Sequence, residues 1–274
     1  MNKLKEQYAA PWSKMAEGWA KLGIGNHPSP HDVAAYEQFI LRATEGVSDP
    51  SLLLLGATPS LRDMAARHPN FSLTVLDIHP EMIEGMTACM TEKPVRETLV
   101  AGDWIETSFP PHIFDAVMGD QVTCNVAYEK WDRFYAHVRD ILKPTGAYIS
   151  RITTRYPETP VYDPHEFVLR FANTPPTRES LTELWNLLCF QTHHDNVSPS
   201  DRMYAVLEAH LDRPNIKAYY DLLLDIIPRG KVWDIGRPWP EEKAIIEKYF
   251  VIAGEIPDDT IFRDSTKIYS LQPR

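Results

Sequence analysis

Two acids close short apolar runs in the first half of this chain. Leu73-Thr-Val-Leu-Asp77 and Leu99-Val-Ala-Gly-Asp103 each end on a carboxylate, and upstream of both Ser51-Leu-Leu-Leu-Leu-Gly56-Ala-Thr-Pro59 ends its apolar run on glycine. Apolar runs of this length read as buried parallel strands, and a glycine just past one lets a ligand approach the backbone. An acid at the end of the next strand, about 20 residues further on, is placed to accept hydrogen bonds from two ribose hydroxyls. Gly56 and Asp77 together therefore predict a nucleoside-containing ligand. The turn does not suit a diphosphate: its one glycine is followed by Ala57, Thr58 and Pro59, and the proline removes an amide donor. A nucleoside without phosphates fits better. Taken alone, the pair is also compatible with an ordinary strand–turn–helix connection in which Asp77 caps the next helix.

The elements that would position these residues follow in order. Leu61 to His68 reads as a helix between the first two strands. Leu99-Val-Ala-Gly-Asp103-Trp104 is a third strand ending in an acid and an aromatic, and Phe114-Asp-Ala-Val-Met-Gly-Asp120-Gln121 is a fourth. In Ile141-Leu-Lys-Pro-Thr-Gly146-Ala-Tyr-Ile-Ser-Arg-Ile152 a helix ends, the chain turns at Gly146 and a fifth strand opens.

This succession resembles the class I S-adenosylmethionine-dependent methyltransferases over residues 50–153 and, more weakly, over the C-terminal segment. Gly56 falls at the first motif, Asp77 at the ribose-binding acid, Asp103 at the acid facing the adenine amino group and Asp120 beside the methionine part of the cofactor. Lys143-Pro-Thr-Gly146 matches the family's turn before the fifth strand, and the degenerate Gly-Ala-Thr-Pro loop is the main departure. The resemblance implies an α/β fold: a Rossmann-like, doubly wound seven-stranded sheet with an N-terminal helical lid and a helical insertion between strands 5 and 6. The corresponding segments are a lid at 1–48, a cofactor-binding core at 49–155, a helical substrate cap at 156–239 and a C-terminal completion of the sheet at 240–274. It implies S-adenosyl-L-methionine as cofactor, held by Gly56, Ala57, Thr58, Asp77, Ile78, Gly102, Asp103, Trp104, Asp120 and Gln121, with Trp19 of the lid.

The flanking segments read as mostly helical. Lys3 to Leu22 spaces Tyr8, Trp12, Met15, Trp19 and Leu22 on a helical period, and Ser29-Pro30 starts a second helix over Asp32 to Ala43. The aromatic stripe either packs on the domain's flank or forms a lid whose rings stabilise a sulfonium cation. Further on, helices are predicted at Glu179–Cys189, Ser200–Leu211 and Ile216–Ile227, with Pro228-Arg-Gly230 as a stop. The helix Pro240–Tyr249 and the runs Phe250–Glu255 and Thr266–Leu271 fit the family's ending.

Candidate catalytic residues are Asn125, Tyr162, Arg151 and Tyr8. In the family, polar groups that position the acceptor follow the fourth motif, as Asn125 does here; otherwise it caps the helix starting near Ala127. Arg151 and Arg155, at the edge of the fifth strand, are suited to hold a substrate carboxylate bidentately, or else to pair at the surface. His79 carries no catalytic role. His193-His194-Asp195 has metal-ligand chemistry, but adjacent histidines point apart and no third cluster lies nearby, so no metal site is expected.

Composition limits the partners. A net charge of −10 with no Lys/Arg cluster argues against nucleic acid and for a small-molecule substrate. No apolar run approaches a membrane span, the N-terminus lacks a signal-peptide core, and three scattered cysteines suggest no disulfide framework, which together predict a cytoplasmic protein. A homodimer is left open. The reaction expected is methyl transfer to a small metabolite, since no Asn-Pro-Pro-aromatic motif follows the fourth strand. Two alternatives remain. One is a cyclase or lyase that releases methylthioadenosine from S-adenosylmethionine, as in azetidine-2-carboxylate formation, with Tyr8, Trp12, Trp19, Tyr156 and Tyr162 as an aromatic cage and Asn125 holding the amine. The other is a non-catalytic binding protein.

Overall fold

The computed structural model of the chain describes residues 18, 21, 23, 26–94, 96–155, 162–260 and 264–274. In chain order the first half holds α1 (Pro30–Ala43), β1 (Ser51–Leu55), α2 (Pro59–Ala66), β2 (Ser72–Asp77), α3 (Pro80–Ala88) and β3 (Glu97–Ala101). β4 (Phe114–Asp120) follows, then two 3-10 turns (Val122–Asn125 and Tyr128–Lys130), α4 (Trp131–Ile141) and β5 (Leu142–Thr153). The second half holds α5 (Pro164–Leu169), α6 (Arg178–Thr192), β6 (Val197–Pro199), α7 (Ser200–Glu208), α8 (Pro214–Ile226) and β7 (Val232–Asp234). It ends with α9 (Trp239–Tyr249), β8 (Phe250–Pro257) and β9 (Thr266–Pro273).

Seven strands form one sheet in the order β3-β2-β1-β4-β5-β9-β8. The first five are parallel, and β9 enters antiparallel between β5 and β8. This is the Rossmann-like α/β sheet expected. Its central strands are apolar on both faces because helices cover both sides: Leu52, Leu53, Leu54, Val75, Val117 and Met118 are all fully buried. α4 shows why these helices dock. Trp131, Phe134, Tyr135, Val138 and Ile141 recur at three- and four-residue spacing, form one stripe and are buried against the sheet.

The turn expected at Gly146 is instead an irregularity inside one long strand. β5 begins at Leu142, and its pairing with β4 jumps from Phe114↔Leu142 to Ala116↔Ala147. The extra residues bulge outward. Lys143 returns to bind Asp115 at 2.7 Å, and Gly146 passes so close that a Cβ there would sit 2.7 Å from the Asp115 carbonyl.

The chain divides into two compact units, Pro28–Tyr156 with Gly236–Arg274, and Met1–His27 with Pro157–Ile235. This moves two expected boundaries. Residues 28–48, assigned in the sequence to a lid, belong to the sheet-containing unit, and so do residues 236–239, assigned to the cap. The reason is burial: Ala35, Tyr36, Phe39 and Ile40 of α1 lie inside that unit. Of the remainder of the proposed lid only residues 18, 21, 23, 26 and 27 are described; Tyr8, Trp12 and Trp19 lie outside the described residues.

The other unit has its own core. Phe167, Leu184, Trp185, Leu188, Tyr204, Leu207, Tyr219 and Leu223 from α5–α8 are buried together. The sequence reading missed α5 and the antiparallel pair β6–β7, whose strands have three residues each. Elements that short carry almost no periodicity. The cysteines Cys89, Cys124 and Cys189 are free thiols, and among the described residues no helix is long and apolar enough to cross a membrane.

α1 is tied to the sheet by one hydroxyl. Tyr36 Oη donates to the Gly119 carbonyl at 2.8 Å and accepts from the Arg151 N–H at 2.6 Å, so it bridges β4 and β5. Tyr36→Phe keeps the ring but strands the buried Arg151 amide, whereas the Gly119 carbonyl still receives the Ser150 hydroxyl at 3.0 Å. Urea denaturation is expected to show a loss of about 1–3 kcal/mol.

Candidate active site at the carboxyl edge of the sheet

Parallel strands leave the sheet at the same edge, so the residues after them converge. Register makes this concrete: Leu55 pairs with Leu76 on one side and Gly119 on the other, and Asp77 pairs with Ala101. Gly56, Asp77, Gly102 and Asp120 therefore stand along one edge, with the reversal of strand order between β1 and β4 at its centre, where ligands bind in sheets of this kind.

Gly56 has φ of +91°, a conformation costly for any residue with a side chain. Its N–H donates to the Leu76 carbonyl at 2.9 Å, and a Cβ there would meet only Trp104 Cζ2, at 3.7 Å. Trp104 Nε1 donates to the same carbonyl at 2.8 Å, which holds the indole beside the glycine turn. Ala57 is buried, and Thr58 is the N-cap of α2 with no side-chain capping bond. Gly102 sits against Thr107, since a Cβ there would collide with Thr107 Oγ1.

Asp77 ends β2 and is 8% exposed. It accepts from the backbone amides of Ile78 and His79, the latter at 2.9 Å. Burial pushes its carboxyl up to about 6, and the two amides counter only part of this. A carboxylate has roughly four acceptor positions, so these two contacts leave capacity for two further donors. Asp103 opens the loop after β3, its Oδ1 accepting from Ile105 N at 2.8 Å and Glu106 N at 3.2 Å.

Arg151 is corrected by the structure. The sequence reading offered it to a substrate carboxylate, but its guanidinium is fully buried and engaged within the fold. Nε and Nη2 bind Asp120 bidentately at 2.7 and 3.1 Å, and Nη1 reaches Asp32 at 3.3 Å and Asp258 at 3.2 Å. Opposite charges hold the Arg151 cation more firmly than usual, although burial acts against it. Asp120, expected beside a ligand's amino-acid part, is the bidentate partner of Arg151. Burial pushes the Asp32 carboxyl up to about 6, despite the opposing pull of Arg151. Asp32 also closes a reciprocal capping box with Ser29 at the start of α1. That box is visible as Ser29-Pro-His-Asp32; nothing in the sequence marks Asp258 or Tyr36 as partners of Arg151.

Other candidates are dispersed. Gln121 follows β4 in a left-handed conformation (φ +49°), its N–H donating to the Arg151 carbonyl at 3.0 Å. Asn125, exposed, ends the following 3-10 turn, so it does not cap α4, which begins at Trp131. Thr123 in the same turn contacts the fully buried Glu242 at 3.4 Å, a residue the sequence reading did not single out. Arg155 Nε donates to the Gly236 carbonyl at 3.1 Å. Tyr162 belongs to the other unit and is 42% exposed, with the Arg170 guanidinium 4.5 Å from its ring centre. There too, His193 binds the Phe190 carbonyl, while His194 pairs with Asp195 in the turn into β6. Tyr8, Trp19 and Tyr156 lie outside the described residues.

Residues 55–146 match the family model described as a methyltransferase domain. No curated protein matches the sequence significantly. Among solved structures, the chain is similar to a Rhodobacter sphaeroides protein provisionally described as a zinc-dependent alcohol dehydrogenase: 15% identity over 95% of this chain and 99% of that one, TM-score 0.54. It is also similar to magnesium protoporphyrin IX methyltransferase from Synechocystis PCC 6803 with bound SAH: 12% identity over 89% of this chain and 82% of that one, TM-score 0.50. At these identities the two likenesses show a shared fold, and their differing names say nothing about the reaction here.

The raised Asp77 carboxyl makes a signed prediction. The folded chain holds this proton more tightly than the unfolded one, so ionising Asp77 costs stability as pH rises from about 4 to about 6. Asp77→Asn lacks that dependence. Its stability relative to the parent is expected to improve by about 2–3 kcal/mol between pH 4 and pH 7, as read from urea denaturation at each pH.

Proposed function

We propose that this chain, whose residues 55–146 match a methyltransferase-domain model, is a class I S-adenosylmethionine-dependent methyltransferase that transfers the cofactor's methyl group to a small-molecule acceptor. One observation carries the reading: Gly56 and Asp77 stand at neighbouring strand ends, the first without a side chain and the second with acceptor capacity to spare. The residues present fit the cofactor. The bare face of Gly56 admits a nucleoside against the backbone, and Asp77 can accept both ribose hydroxyls. The Trp104 indole supplies a flat apolar wall beside the same turn, with Ile78 and Asp103 at the next two strand ends, where an adenine would lie.

The cofactor supplies a methyl group already activated on a sulfonium, so the chain needs no strong nucleophile. Its residues have to orient the donor, bring the acceptor into line and keep water out. Gln121 is held in place by the Arg151 carbonyl, and exposed Asn125 four residues on is the polar group we assign to the acceptor. A small acceptor is favoured by the net charge of −10, which repels a phosphate backbone.

Two measurements test this. Asp77→Ala is expected to weaken S-adenosylhomocysteine binding by about 1–3 kcal/mol in calorimetry, because buried ribose hydroxyls lose their acceptor; equal affinity would remove Asp77 from the site. Incubation with S-adenosylmethionine and pooled small acceptors should release S-adenosylhomocysteine, and almost no nucleoside when acceptors are omitted. Methylthioadenosine accumulating at enzyme-catalysed rates without acceptor would overturn methyl transfer and install the cyclase or lyase reading, in which both reacting atoms belong to one molecule.

A further inference from the structure

Three carboxylates from distant stretches of chain meet beside Arg151. Asp32 lies in the first turn of α1, and Asp258 and Asp259 follow β8. One oxygen of each lies within 4.8 Å of the others. Asp32 and Asp258 are buried, and Asp259 is open to solvent.

The charges here do not balance. Arg151 brings one positive charge, and its Nε–Nη2 face is taken up by Asp120. Its Nη1 is divided between Asp32 Oδ2 and Asp258 Oδ2, at 3.3 and 3.2 Å, longer than the 2.7 Å Nε bond to Asp120. Asp32 and Asp258 are therefore only partly compensated, and Asp259 adds a further negative charge at the mouth of the cluster. The second oxygen of Asp32, Oδ1, is buried without a hydrogen-bond partner among the described residues, on a residue with no solvent exposure. A buried carboxylate oxygen left unpaired is costly. Every other acceptor of that residue is used: Oδ2 takes the Ser29 N–H at 2.9 Å as well as Arg151.

We propose that Asp32, Asp258 and Asp259 form a binding site for a divalent cation of calcium-like size, entered from the Asp259 side. Carboxylate oxygens select hard cations, and two oxygens at about 2.4 Å from one ion span about 4.8 Å. Asp32 Oδ1, which finds no partner among the described residues, is the buried ligand. Asp259 is steadied by the Ser29 hydroxyl, which donates to its Oδ1 at 2.7 Å. The ion would join the start of α1 to the segment after β8, adding to the Ser29–Asp259 bond and to the shared contacts with Arg151.

The test is calorimetric titration of chelator-treated protein with calcium, magnesium or manganese chloride, paired with melting curves. One-site binding with a rise in melting temperature is expected, strongest for calcium. Asp259→Asn changes an exposed acid that makes no bond to Arg151, so its metal-free melting temperature should equal the parent's while its affinity falls at least tenfold. Asp32→Asn should lose binding through the buried ligand. No heat and no melting shift up to about 10 mM of any of the ions would overturn the site, since that lies beyond the weakest carboxylate calcium sites. Undiminished binding by Asp259→Asn would overturn it as well.

Discussion

A guanidinium cut off from water must be surrounded by negative charge, and that requirement at Arg151 organises the sheet-containing unit. Its partners come from α1, from the end of β4 and from the connection between β8 and β9, so one side chain joins the beginning, middle and end of the unit. Removing a buried charge partner is worth about 3–5 kcal/mol, so the network constrains the fold far more than a surface pair would. The backbone of the same residue takes part as well: its N–H meets Tyr36 and its carbonyl receives Gln121. The position of the loop after β4 thus depends on the strand beside it.

The candidate site lies next to this network, and the acids of the carboxyl edge divide between them. Asp120 and Asp32 are committed inward, to Arg151. Asp77 and Asp103 accept from the backbone amides that follow them, and Asp77 keeps acceptor capacity at the edge. Strand-end acids look alike in sequence; the buried cation separates those that hold the fold from those that can hold a ligand. The elevated Asp77 carboxyl reflects the same geometry, since the residue is buried with no cation to offset its charge.

Such a site has little catalytic equipment. With an activated methyl donor, chemistry asks mainly for orientation and dryness, and a rigid strand edge supplies the first. Gly56 and Gln121, both at positive φ, are two places where the backbone departs from ordinary conformations along that edge. Glycine takes that conformation freely, whereas Gln121 is held in it by its bond to the Arg151 carbonyl.

The order of strands and helices in the sheet unit, the glycine turn, the strand-end acids and the helix start at Ser29 were legible in the sequence. Each rests on local chemistry: apolar runs, one residue type with positive φ, and a side chain reaching its neighbour's amide. The long strand β5 and the short elements α5, β6 and β7 were not, because bulges and three-residue strands leave no period to read. Nor was the fate of Arg151. Its partners at positions 32, 120 and 258 are far apart in the chain, and only the register of β4 on β5 and the packing of α1 bring them together. Sequence by itself determined which residues could carry charge at the edge of the sheet. Tertiary structure decided which of those charges are spent on each other, because the energy of an ion pair depends on distance and burial, and neither is encoded locally.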